Sequence, residues 1–263
     1  MMNWEAVYGL PDEQPLDRLV EGYSNTSIFR TIAVVGDSMS SGEMQVVKED
    51  GGNGYHDLFE YSWGQYLARH NGCKVYNFSR GGMTAREYLA SFAEKNGFWD
   101  PEKACQAYII AMGLNDLHGE KTPIGSVEDI DPVDYRNNKP TYVGNYAQIV
   151  SRLKEISPDA KFFFVTFSKA ASADAADQAA AMYALAEHFE NAYVLDLHRY
   201  GPAFDEAYHK RFYLRGHMNA SGYLFYARLI DSYIDYIIRH NPADFREVAL
   251  IGTGIKNYEG ERS

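Results

Sequence analysis

The chain has 263 residues and carries 36 Asp and Glu against 25 Lys and Arg, a formal net charge of −11 at pH 7. That length suits one large α/β domain with a full core, and the acidic balance excludes the basic face expected of a nucleic-acid binder. No run of eighteen apolar residues occurs, Cys73 and Cys105 make neither a disulfide framework nor a metal site, and Met1-Met2-Asn3-Trp4-Glu5 lacks a secretory pattern, so a cytoplasmic location with no membrane contact is expected unless a leader was removed.

Residues 1–30 precede the first strand and read as an N-terminal extension around the outside. The run 31–36 (Thr-Ile-Ala-Val-Val-Gly) is a short apolar strand ending abruptly in Gly36-Asp37-Ser38. Gly36 supplies freedom for a sharp turn, and a serine at the C-terminal tip of a buried strand projects into the crevice where open α/β sheets bind ligands. Residues 42–60 read as a loop around Gly51-Gly52-Asn53-Gly54. A second strand, 74–78, leads to Gly81-Gly82, and a third, 106–112, leads to Gly113-Leu114-Asn115-Asp116. A long loop at 117–144 carries Pro123, Pro132 and Pro140; with 42–60 it reads as a wall or lid of the pocket.

Beyond it, Tyr146, Ile149, Val150, Leu153 and Ile156 share one helical face over 145–156, with Pro158 as a stop. Strand 161–167, an Ala-rich helix at 174–189 and strand 192–196 follow. His217 stands before a final helix at about 219–239, and 240–263 forms a tail. The strands show little alternation, as expected where both faces are covered. Strand–helix alternation predicts right-handed crossovers and a three-layer α/β/α sandwich around a five-stranded parallel sheet. No repeat or linker suggests a second domain, so a single domain over 1–263 is expected.

Four blocks resemble those of the SGNH, or GDSL-type, hydrolases. They are Gly36-Asp37-Ser38-Met39-Ser40, Asn77-Phe78-Ser79-Arg80-Gly81-Gly82-Met83-Thr84, Gly113-Leu114-Asn115-Asp116 and His217-Met218-Asn219-Ala220-Ser221-Gly222-Tyr223. The resemblance runs from about residue 31 to residue 238. It implies a flavodoxin-like SGNH hydrolase fold with Ser38 as nucleophile, His217 as base, and Gly82 and Asn115 as oxyanion donors. Gly81 is an alternative to Gly82, because neighbouring glycines are not separated by pattern.

The residue types suit that chemistry. A serine hydroxyl needs a nearby base to remove its proton as it attacks, and imidazole's proton affinity lies near working pH. Attack on an ester carbonyl places negative charge on one oxygen, which the N–H groups of Ser38 and Gly82 and the Asn115 amide are suited to receive. The resulting acyl-serine is then hydrolysed by a water that His217 activates.

One position departs from the family. Members usually place an Asp three residues before the histidine, and that position here is Leu214. Three explanations stand open: a Ser–His dyad oriented by a backbone carbonyl, a displaced carboxylate such as Asp205 or Glu206, or a binding protein that has lost turnover. Of the remaining residues, Asp37 and Asp116 read as turn-fixing, Asn115 has the plainer reading of a turn cap, and His118 reads as a loop residue near the pocket. The many tyrosines read as core. No cofactor or metal is expected. The expected substrate is a small-molecule or carbohydrate ester with a short acyl group; the resemblance also covers lipases and thioesterases.

Overall fold

Residues 3, 8–9, 12–169 and 171–258 are described by the structure, a computed structural model. Thr31–Gly36 (β1) is apolar along its length because helices cover both of its faces. Ala33 and Val35 face one layer while Ile32 and Val34 face the other, the period-two consequence of a strand buried on both sides. The short helix Ser38–Ser41 (α1) follows at once. Then come the hairpin Glu43–Val47 (β2) and Asn53–Asp57 (β3), the helix Trp63–Asn71 (α2), and the strand Lys74–Ser79 (β4). A helical stretch, Ala85–Glu87, Tyr88–Phe92 and Ala93–Lys95 with its middle as a π turn, leads to Ala107–Ala111 (β5). The chain continues through Tyr142–Ile156 (α3), Lys161–Val165 (β6), Ala175–His188 (α4) and Ala192–Leu195 (β7). It closes with Glu206–Phe212 (α5), Tyr213–Leu214 (β8), His217–Met218 (β9) and Ala220–His240 (α6).

Five strands form one parallel sheet in the order β4-β1-β5-β6-β7. One face packs Phe78, Tyr108, Phe162 and Phe164 against Tyr88, Tyr146, Leu153 and Met182 of the helices on that side. The other packs Val75, Ile109, Phe163 and Leu195 against Trp63 and Leu67 of α2 and Tyr223, Ile230 and Ile234 of α6. This is the α/β/α sandwich expected from the strand–helix alternation. The order changes direction about β1, and β1 and β5 end side by side at the crevice where such sheets place their ligands.

Two expectations need correction. The helix predicted from 145 begins at Tyr142, because the Thr141 hydroxyl accepts from Gly144 N–H and caps it earlier. The segment 42–60 is not a plain loop: β2 and β3 pair antiparallel, with Glu43 opposite Asp57 and Gln45 opposite Tyr55. Met44 is buried while β3 is mostly exposed, so only one strand of the hairpin carries an apolar signal.

The described part of the N-terminal extension lies along α6. Val20 N–H donates to Ser232 Oγ, Ser24 Oγ to Asp231, and Asn25 to Asp235. Within the tail, Phe245 packs on Phe29 and Tyr193, and Val248 O accepts from Gln106 Nε2. The rest of the extension and of the tail lies outside the described residues. No helix among the described residues is long and apolar enough to cross a membrane.

Candidate active site

The tip of β1 is shaped by Gly36 and Asp37. A Cβ on Gly36 would lie 2.3 Å from Ser40 Oγ and 2.7 Å from Ala111 O, so only glycine lets the chain turn here against β5. Asp37 caps α1: its carboxylate accepts from Met39 N–H at 3.0 Å, and its carbonyl accepts from Ser40 and Ser41 N–H. That is the turn-fixing role read from the sequence, and burial pushes the Asp37 carboxyl up to about 7. Ser38 is therefore the first helical residue beyond the strand. Gly42 ends α1 in the left-handed region with φ +90°, which sends the chain back as β2.

The second and third blocks meet beside it. Gly82 has φ +71° within the turn in which Met83 N–H donates to Arg80 O, and apart from its chain neighbours no described atom lies within 4 Å of where its Cβ would stand. Asn115 Nδ2 donates to Met83 O at 3.1 Å, which places the side-chain amide on the Gly81-Gly82 loop rather than on a cap of its own turn. Asp116 fixes the same loop from beneath, accepting from Ala85 N–H at 2.9 Å, with burial raising its carboxyl to about 6.

His217 arrives from β9, whose two-residue turn Arg215-Gly216 pairs Leu214 directly with it. Position 214, where the family usually places an Asp, is thus the cross-strand neighbour of His217, and leucine offers no acceptor. His217 Nδ1 is buried and has no hydrogen-bond partner among the described residues. His217 Nε2 lies 3.0 Å from Oε1 of Glu43, the first residue of β2. Burial, and next the charge of Asp57, push the Glu43 carboxyl above its usual range; burial pulls the imidazole below its own. The hairpin is fastened to this loop a second time, since Gln45 Oε1 accepts from Gly216 N–H at 2.9 Å. The Tyr55 ring meets the imidazole edge-on at a centroid distance of 5.9 Å. Tyr223 OH donates to Glu43 O at 2.6 Å and lies 3.3 Å from Ser38 O, tying the start of α1 and the start of β2 to α6.

The carboxylate at His217 is therefore neither of those named from the sequence. Asp205 is occupied in capping α5 through Tyr208 N–H, and Glu206 belongs to the first turn of that helix. Glu43 escaped notice because its segment read as a loop; its spacing with Gln45, two residues apart on one strand face, was the available signal. His118 faces Asp174 at 3.4 Å and does not line the cavity beside Ser38. That cavity, about 250 Å³, is lined by Asp37, Met39 and Ser40 around the serine and by Gly216, with Trp63, Met112 and Phe204 supplying apolar walls; Ser38, Gly82, Asn115 and His217 are not among its lining residues. Among the described residues no group of three or more His, Cys, Asp or Glu is placed to hold a metal ion.

Solved structures share this architecture. A family two carbohydrate esterase with a carbohydrate-binding domain from Corynascus thermopiles (Myceliophthora fergusii) superposes with a TM-score of 0.54 at 16% identity, covering 87% of this chain and 69% of its own. A family two carbohydrate esterase from Clostridium thermocellum, solved with cellohexaose, gives 0.56 at 14% identity over 89% of this chain and 67% of its own. A protein from Lactobacillus plantarum gives 0.57 at 19% identity over 79% and 97%. No curated protein matches the sequence. Residues 34–224, which span the serine tip of β1, the glycine and asparagine loops and the histidine hairpin, match the model of the GDSL-like Lipase/Acylhydrolase family, and the chain belongs to that family.

Proposed function

We propose that this protein is a serine hydrolase that cleaves carboxylic esters of small molecules or carbohydrates through an acyl-serine at Ser38. The observation that supports it is the grouping of three distant segments near the tip of β1: the Asn115 amide bonded onto the Gly81-Gly82 loop, His217 held at the hairpin that leaves α1, and Ser38 as the first residue of α1. In the proposed reaction Ser38 Oγ gives its proton to His217 as it bonds to the ester carbon. The carbonyl oxygen takes the negative charge and is met by N–H groups of Ser38, Gly82 and Asn115. Collapse expels the alcohol, which takes the proton from His217, and a water repeats the sequence to release the acid.

Carbohydrate esters are favoured by the two carbohydrate esterases that share the fold. The cavity beside Ser38 favours a second reading for the acyl group. An acetyl methyl occupies a small part of about 250 Å³, a space for roughly eight groups of water or methylene size. Its apolar walls suit a medium-length chain. The test is an acylating fluorophosphonate probe followed by peptide mass spectrometry, alongside hydrolysis of chromogenic esters of increasing acyl length. Label on Ser38 alone, with activity lost in Ser38→Ala, is expected. Label on another serine, or full turnover by Ser38→Ala, overturns the acyl-serine.

A further inference from the structure

We propose that Glu43 is the positioning residue for His217, supplying from the β2–β3 hairpin the carboxylate that position 214 lacks. The inference rests on the reading of Ser38 and His217 as nucleophile and base. Three observations carry it. The Leu214 side chain, paired across the strand from His217, has no acceptor, and His217 Nδ1 is buried without a partner among the described residues. Oε1 of Glu43 lies 3.0 Å from Nε2, with both side chains largely buried. The hairpin that carries Glu43 is fixed at this spot by Gln45 on Gly216 N–H and by Tyr223 OH on Glu43 O. A carboxylate buried without a partner is costly, whereas one set against an imidazole has a defined partner.

A carboxylate only accepts, so Nε2 must carry the ring proton and Nδ1 the lone pair. The catalytic imidazole is thereby fixed in one tautomer. In the proposed step the Ser38 proton goes to Nδ1, the nitrogen that Glu43 leaves free, and the imidazolium that forms is neutralised by Glu43 at Nε2 without proton transfer to the carboxylate. Oε2 of Glu43 would stand 2.2 Å from a Cβ on Gly81, so the glycine at 81 makes room for the carboxylate while Gly82 remains open on its far side. That assigns the two adjacent glycines different duties: Gly81 seats Glu43, and Gly82 is left to face the substrate.

The tautomer is read directly in the unsubstituted protein by long-range 1H–15N correlation of the imidazole, with His217→Gln identifying its signals. The expected state is Nε2–H; an Nδ1–H ring overturns the proposal, and this readout needs no turnover. Glu43→Gln, a near-isosteric change, is expected to lower kcat by about 10²- to 10⁴-fold with KM little changed and to disturb the tautomer signal. An unchanged kcat in folded Glu43→Gln overturns the proposal as well. Adding Leu214→Asp to Glu43→Gln puts a carboxylate on the opposite strand beside His217 and is expected to recover part of the lost kcat. Full turnover by Ser38→Ala would instead sink the acyl-serine reading and leave the tautomer result standing, so the two failures are distinguishable.

Discussion

Asn115→Ala separates transition-state chemistry from binding. The Asn115 amide has two N–H groups; one is spent on Met83 O at 3.1 Å, which fixes the amide plane and leaves the other as the donor the proposed oxyanion role uses. Removing one such preoriented donor costs about 10²–10³ in kcat, or about 3–4 kcal/mol of transition-state stabilisation. The ground-state ester oxygen carries little charge, so KM should change by less than about threefold. Loss of the Met83 hydrogen bond costs folding about 1 kcal/mol, which in a chain of this size lowers Tm by roughly 2–4 °C. Steady-state kinetics on a small chromogenic acetyl ester, with a thermal melt of the same sample, read both quantities. Asn115→Asp is the sharper control: it keeps the shape but cannot donate, and its charge opposes the oxyanion, so its kcat should be no higher than that of the alanine variant. A rise in KM at unchanged kcat would refute the oxyanion role and make Asn115 a substrate-positioning residue.

The ion pair of the N-terminal extension predicts a pH-dependent stability. Glu13 meets Arg239 at 2.6 Å and Arg18 at 3.0 Å, and its carboxyl falls from 4.5 to about 2, chiefly through the Arg239 hydrogen bond. Because the folded value lies below the unfolded one, the stabilisation is complete above the unfolded value and is lost as pH falls through the folded one. The shift bounds it at about 3 kcal/mol, and solvent screening on the exposed Arg18 side leaves about 2 kcal/mol. Glu13→Gln should therefore lower Tm by about 4–8 °C at neutral pH and by little near the bottom of the acid range, a gap followed by melts from pH 7 downward; a gap that does not close refutes the pairing. Ala171 lines the cavity beside Ser38, so Ala171→Phe should leave acetyl ester turnover near its original value and reduce that of longer acyl esters by roughly tenfold or more. An unaltered acyl-length profile would show that the cavity does not receive the acyl chain.

What the sequence by itself determined follows from local physics. Gly36-Asp37-Ser38 is legible because strand end, turn and cap lie within a few residues, and the structure keeps all three. The glycine and asparagine loops are legible for the same reason, each following directly on a strand of the parallel sheet. Asp37 and Asp116 behave as turn-fixing residues because an Asp accepts naturally from nearby backbone N–H groups. Even the departure at Leu214 was visible, since its spacing from His217 is short.

The tertiary structure alone decided what stands in for the missing acid. Asp205 and Glu206 were plausible by closeness in sequence, yet helix capping claims Asp205. Glu43 is remote in sequence from His217 and reaches it only because β2 pairs with a largely exposed β3, whose polar pattern hides the strand. Pairing of that kind is fixed by long-range contacts, here Gln45 on Gly216 and Tyr223 on Glu43 O, and not by local propensity. The side chains of one strand face were readable from spacing, but which distant loop they meet depended on how the sheet, the hairpin and α6 pack together.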